Sequence, residues 1–269
     1  MSTVAASIRL KLTPPLQQVL RVADTALIHA QRLCEWSGHA PVLEEDIALS
    51  NMALDVLGQA RLLLTRAAQL EGQGYDEDTL AFWRDEPQFF NLTLAEQPMR
   101  RSSAHAPGGD FADTVLRNAL LAAWFRQVWI GLQGSTDSEL AAIAAKASKE
   151  TRYHLQHAGD WVVRLGDGTA ESARRMADAL ERAWPYTNEM FTDDAVDAAA
   201  VASGWAPSRS SLRDGWRADL LPMLEAARLK APADTPFVCS GTQGVHSEHL
   251  GFMLAEMQSL QRRHPGGRW

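Results

Sequence analysis

The run from Glu44 to Glu71 constrains this chain more than any other stretch. Its acids Glu44, Glu45 and Asp46 stand in the first turn, where the helix dipole favours negative charge. The pattern predicts one helix of about 28 residues, ~42 Å long at 1.5 Å per residue. That is bundle length, so the search for partners begins with other long helical segments.

Three more are legible. Thr13-Pro14-Pro15 starts a helix with Thr13 as N-cap and proline in the first turn. Leu16, Val19, Leu20, Ala23, Leu27, Ala30, Leu33 and Cys34 keep its period up to a stop at Gly38. Asp110 caps a third helix that runs to about Gln133, and Thr136-Asp137-Ser138-Glu139 forms a capping box for a fourth that ends at Gly166. A further helix from about Glu171 is kinked or ended by Pro185. Shorter helices are expected at 193–203 and 209–229, with a last one from His246 to Arg263. Strand alternation is absent, and the expected fold is all-α: a single ferritin-like four-helix bundle over 1–269 with additional C-terminal helices. Residues 1–12 read as a flexible leader. The long connector from Gly72 to Gly109, helical near Glu77 to Trp83, suits a crossover between two hairpins, with 99–109 as a loop insert.

The segment Lys149-Glu150-Thr151-Arg152-Tyr153-His154-Leu155-Gln156-His157 is the chemical focus. A bundle that carries a carboxylate-bridged metal pair needs one carboxylate from each of two helices and an inward Glu-x-x-His from each of the other two. No Asp or Glu in the chain has a histidine three residues on. Asp55 is followed at that spacing by Gly58, and Glu150 by Tyr153. The helix from Thr114 to Gln133 has no Asp or Glu, and the first helix offers only Asp24 and Glu35, read as lying outside its apolar stripe. Asp55, Gly58, Glu150, Tyr153 and His154 therefore read as a vestigial site, with no catalytic residue and no metal ligand set. Glu150 and His154 suit an internal ion pair at i, i+4, aided by Lys146. Asn51, Asp55 and Gln59 share one stripe, as a solvated edge or as polar partners of that cluster.

Other candidates are weaker. Gln88, Phe89, Phe90 and Asn91 suit either loop packing or a substrate or partner contact. His246 and His249 share a face near a helix start, where a capping role competes with metal binding. His39 reads as a turn residue. Nine tryptophans is a high count, and Trp36, Trp124, Trp129 and Trp161 are candidates for an interface or for the core. A net charge of −7 without a basic block argues against a nucleic-acid surface. No stretch reaches 18 uninterrupted apolar residues, so no membrane span is expected. Cys34 and Cys239 form neither a zinc spacing nor a disulfide framework, which suits a reduced cytoplasmic thiol pair.

Several longer words resemble one family. They are Arg32 to Pro41 (RLCEWSGHAP), Asn51 to Arg61 (NMALDVLGQAR), Asp76 to Phe82, Arg84-Asp85-Glu86, Lys149 to Leu155 (KETRYHL), His246 to Gly251 (HSEHLG) and Leu254 to Gln258. The family is the C subunit of the bacterial phenylacetyl-CoA epoxidase of aerobic phenylacetate degradation, and the resemblance runs from about residue 16 to Trp269. It implies a ferritin-like fold and a non-catalytic subunit that pairs with and supports a homologous di-iron subunit, which epoxidises the aromatic ring of phenylacetyl-CoA. It implies no cofactor in this chain, iron in the partner and NADPH at a separate reductase component. Self-association is a second possible partnership. Gly58 and Tyr153 fit such a subunit, whereas Met99 to Pro107 is longer than the family pattern needs.

Two other function classes compete. One is a di-iron or mononuclear iron oxygenase or ferroxidase with irregular ligands Asp55, Glu150, His154 and His157. The other is a free-standing helical binding protein. Iron content separates the first from a scaffold, and co-purification with an iron-bearing homologue separates the second.

Overall fold

The computed structural model describes residues 7–98 and 110–267. Eleven α-helices follow one another among the described residues: α1 (Pro14–Cys34), α2 (Leu43–Glu71), α3 (Glu77–Phe82), α4 (Thr93–Glu96), α5 (Phe111–Leu132), α6 (Ser138–Gly166), α7 (Ala170–Ala183), α8 (Ala195–Ser203), α9 (Arg213–Ala226), α10 (Glu248–Met257) and α11 (Ser259–Arg263). The class is all-α, with the long helices in the ferritin-like arrangement expected. The insert at 99–109 and residues 1–6 lie outside the described residues.

Helix ends follow local chemistry. Thr13 Oγ1 accepts from the Leu16 amide, and the Asp110 side chain accepts from the Ala112 amide at 3.0 Å. α6 starts one residue later than a Thr136 cap would place it. Its N-cap is Asp137, whose Oδ1 accepts from the Glu139 and Leu140 amides, both at 3.0 Å. Gly72, at φ +75°, closes α2 with its amide on Ala68 O.

α1 and α2 form one hairpin, α5 and α6 the other. Their facing stripes share a core that runs from Leu16 on α1 through Leu63, Leu120, Trp129 and Val162 to Leu220 and Leu254. Phe111 packs edge-on between Trp36 (5.4 Å between centroids) and Trp161 (5.1 Å), tying the two hairpins at one end. Trp36 Nε1 also donates to Thr114 Oγ1 at 2.5 Å.

Residues 7–12 are not a loose leader. Ile8 N donates to Trp83 O at 3.0 Å and Lys11 N to Glu71 Oε1 at 3.2 Å, so two backbone amides anchor the segment to the end of α2 and α3. The last helical stretch is also not continuous. It breaks between α10 and α11 at Gln258, whose amide side chain donates to Ala81 O (3.1 Å) and Arg84 O (3.0 Å).

The connector between the hairpins is held by buried carboxylates. Asp24 on α1 is fully buried, against the expectation that it lies outside the stripe. It pairs with the fully buried Arg84 and accepts from Phe90 N at 2.9 Å. Glu189 accepts from the amides of Thr93 and Thr242, each at 2.8 Å. Glu96 accepts from Asn91 Nδ2 (2.9 Å), His246 Nδ1 (2.8 Å) and Ser247 N (2.6 Å).

Candidate functional site

α2 and α6 run antiparallel, and a polar seam marks their contact. Going up α2 and down α6, the pairs are Glu45–His157, Asp55–His154, Gln59–Glu150 and Arg66–Asp137. His154 Nε2 meets Asp55 Oδ2 at 3.0 Å, and Gln59 Nε2 donates to Glu150 Oε2 at 2.9 Å. His157 Nε2 approaches Glu45 Oε2 to 2.9 Å without hydrogen-bond alignment. Glu150 also keeps a loose contact with Lys146 at 3.9 Å. The expected Glu150–His154 pair along α6 is thus replaced by two cross-helix bonds, because α2 supplies a partner for each. Asp55 and Gln59 are those partners, while Asn51 is exposed.

Behind the seam lies the bundle centre. His29 Nε2 and Asn118 Oδ1 are 3.2 Å apart, and Asn118 Nδ2 reaches Met52 Sδ at 3.6 Å. Trp129 Nε1 donates to Thr151 Oγ1 at 3.1 Å, and the Phe125 ring stacks near both His29 and Trp129. Burial pushes the His29 ring down to about 3, and the Arg117 guanidinium acts the same way; the Asn118 bond only partly offsets them. Burial also lowers His154, although its bond to Asp55 and the nearby Glu150 favour the charge. Both imidazoles are neutral at pH 7.

This arrangement shifts the ligand register. The inward pair on α6 at i, i+3 is Thr151 and His154, both buried, because those two positions face the other hairpin. Tyr153 is 54% exposed, and a Cβ at Gly58 would meet nothing within 4 Å. Neither stands where an inward histidine would. The groups that line the centre are two imidazoles, an amide, a thioether and a hydroxyl. They do not fit a carboxylate-bridged iron pair, since Asp55 and Glu150 stay at the seam and Asp24 is occupied by Arg84. Among the described residues, no group of three or more His, Cys, Asp or Glu side chains is placed to hold a metal ion.

The remaining candidates also move. Trp36, Trp124 and Trp129 are buried in the core, so they cannot anchor an interface; Trp161 is half-buried, with the Arg164 guanidinium 4.5 Å above its ring. Phe89, Phe90 and Asn91 are buried as well, with Arg84 stacked over Phe89 at 4.2 Å, and Gln88 caps its own turn through the Asp85 amide. That connector serves packing, not an exposed contact. His246 is buried on Glu96, whereas His39 is exposed in the turn after α1. Sequence reasoning missed His29, Asn118 and Thr151. The usable signal was a lone polar residue inside an apolar run, as in Ala26-Leu27-Ile28-His29-Ala30.

One surface feature was also missed. Leu43 (71% exposed), Ile47 (53%), Leu54 (65%) and Leu57 (43%) recur at helical spacing on the outer face of α2. By length and composition this helix is apolar enough to cross a membrane, yet less than half of its most apolar stretch is buried. Its inner face fills the core and its outer face is a second apolar stripe. Tyr153 stands beside it over the seam, against His154 and His157.

Comparison with known proteins is specific. The family model described as "Phenylacetic acid catabolic protein" matches residues 3–269. The chain is 47% identical over 250 residues to the C subunit of the 1,2-phenylacetyl-CoA epoxidase of Escherichia coli (strain K12), a match that covers 93% of this chain and 97% of that protein. This chain belongs to the phenylacetic acid catabolic protein family.

Proposed function

We propose that this chain is a non-catalytic structural subunit of a multicomponent phenylacetyl-CoA epoxidase. It pairs with a homologous di-iron subunit that epoxidises the ring of phenylacetyl-CoA, while a reductase component draws electrons from NADPH. The relative is itself designated a subunit, which speaks for an assembly. The observation that carries the non-catalytic reading is the donor set of the bundle centre: neutral His29, Met52, Asn118, Thr151 and neutral His154, with the carboxylates held at the seam. A bundle so filled keeps its shape without metal.

The outer stripe of α2 supports the pairing. Large apolar patches on soluble proteins mark contact surfaces, and a long straight apolar stripe suits the matching helix of a like-folded partner. Co-expression with the homologous iron-bearing subunit tests both parts. The expected outcome is a stable complex whose iron stays with the partner, and little iron in this chain purified alone. Leu54→Lys should weaken the complex at least tenfold and leave the thermal unfolding of the isolated chain nearly unchanged, because Leu54 is exposed. Near-stoichiometric iron in the isolated chain that vanishes with His154→Ala would overturn the reading.

A further inference from the structure

The C-terminal helices carry a face that the rest of the described chain leaves bare. Glu248, Phe252, Glu256 and Leu260 follow one another at four-residue steps along α10 and α11, and all four are exposed. Phe252 is 72% exposed and Leu260 46%, whereas Leu250, Met253 and Leu254 on the inner side are buried. Val245, 66% exposed, stands just before the row.

Beside it runs a second row of small residues. Gly251, Ala255 and Ser259 line one side of a groove of about 270 Å³, and Asp85 and Glu86 of the connector line the other. A Cβ at Gly251 would lie 2.9 Å from Glu86 Oε2, so the glycine lets that carboxylate close on α10.

The charges here are mostly of one sign. Glu86, Glu248 and Glu256 make no ion pair among the described residues, and no lysine or arginine stands three or four residues from Glu248 or Glu256. Arg262 is engaged by Asp85, Phe82 O and Arg84 O, and Arg263 lies beyond the end of the row. A face meant only for water has no use for Phe252 and Leu260. A second copy docked on the same face would set three unpaired acids against their own counterparts, and an anionic bilayer would repel them. Both chemistries are met by a helix that offers apolar side chains to the one set and cations to the other.

We propose that the α10–α11 groove binds a basic amphipathic helix of a partner protein, its apolar side chains on Phe252 and Leu260 and its lysines or arginines on Glu86, Glu248 and Glu256. The row Gly251, Ala255 and Ser259 lets a second helix approach closely. The face shares no residue with the α2 stripe, so it stands or falls apart from the pairing proposed above.

The full-length chain is titrated into a fluorescent helical peptide of leucine and lysine, about five turns long, with its leucine–glutamate counterpart as control. The lysine peptide is expected to raise its anisotropy on binding, less so as salt rises, and the glutamate peptide not to bind. Phe252→Ser should weaken binding at least about tenfold. Glu248→Lys with Glu256→Lys should pass the preference to the glutamate peptide. All three positions are exposed, so thermal unfolding should stay nearly unchanged. Leu54→Lys should bind as the parent does, and Phe252→Ser should co-purify with the iron-bearing homologue to the parent's extent. No binding of the lysine peptide, equal binding of the glutamate peptide, or undiminished binding in Phe252→Ser would each overturn the proposal. So would loss of binding in Leu54→Lys, loss of the homologue in Phe252→Ser, or a dimer of this chain that Phe252→Ser dissolves.

Discussion

Asp24 and Arg84 are both fully buried, and they form an ion pair with each other. Breaking such a pair strands an ion in a low-dielectric interior at a cost of about 3–5 kcal/mol. Asp24→Ala should therefore lower the urea midpoint sharply, the more so because Phe90 N also loses its acceptor. Asp24→Leu combined with Arg84→Met should recover most of the loss, and a double variant as unstable as the single one would show that the pair is not the cause. Two histidines set the pH dependence in opposite senses. His29 is held neutral with its pKa down at about 3, so the unfolded chain binds the proton first; stability is full above pH ~6.5 and falls as pH drops towards 3. By pH 5 the deficit from His29 is about 2 kcal/mol, and burial of His154 acts in the same direction. His246 is the reverse. Both ring nitrogens face oxygens, Glu96 Oε2 and Phe89 O, each at 2.8 Å, so the ring holds two protons. Burial opposes that charge, but Glu96 and Phe89 O outweigh it and raise the pKa. Its contribution is complete below pH ~6.5 and is lost as pH rises through the raised value. Denaturant titrations should show His29→Gln flattening the acid limb and His246→Gln flattening the alkaline one.

At the level of elements, α6 depends on its cap more than its length suggests. Burial alone would raise the Asp137 carboxyl, but the Leu140 and Glu139 amides and Arg66 hold it below the usual range. Asp137→Ala removes a cap and the far end of the α2–α6 seam together. A cap alone is worth about 1 kcal/mol, so with the Arg66 pair lost the expected cost is about 2–3 kcal/mol by chemical denaturation. A loss of only about 1 kcal/mol, the cap's own share, would mean that Arg66 finds Glu139 instead, which already lies 3.6 Å away. The long helices themselves were legible in the sequence, because period, caps and glycine stops agreed over tens of residues. The seam was only half legible. Asp55, Glu150 and His154 were found as residues, yet their partners depend on the rotation of α6 about its axis, and one residue of register turns Tyr153 outward and Thr151 inward. Charged residues within apolar helices were misread for a related reason. Asp24 reads as lying outside the stripe because its partner Arg84 is 60 residues away in sequence. Trp36, Trp124 and Trp129 went into the core since a large ring suits a thick core as well as a surface, and composition does not separate the two.

For the whole molecule, the question is what keeps the crossover connector in place, since its described part packs against α1 with only short helices of its own. The C-terminal segment does much of this. His246 and Ser247 hold Glu96, Gln258 caps the carbonyls of Ala81 and Arg84, and Arg262 donates to Phe82 O (3.1 Å) and Arg84 O (2.9 Å). Gly241 lets the two segments touch: a Cβ there would lie 2.4 Å from Asn91 O. Beside it, Thr242 O accepts from Arg21, which also pairs with Asp194 and, with Arg209, Asp197. Deleting residues 245–269 should therefore loosen the connector selectively. The two hairpins keep their own core, so helical circular dichroism should fall only by the loss of α10 and α11, while limited proteolysis should gain new cuts between residues 84 and 97. Buried polar groups that lose their partners favour local opening over global unfolding when the surrounding core is intact. Gly241→Ala should produce the same cuts in the full-length chain, because backbone oxygen cannot move aside as a flexible side chain can. A connector as resistant in both variants as in the parent would mean that Asp24 and Glu189 suffice to hold it, with the C-terminal helices as passengers.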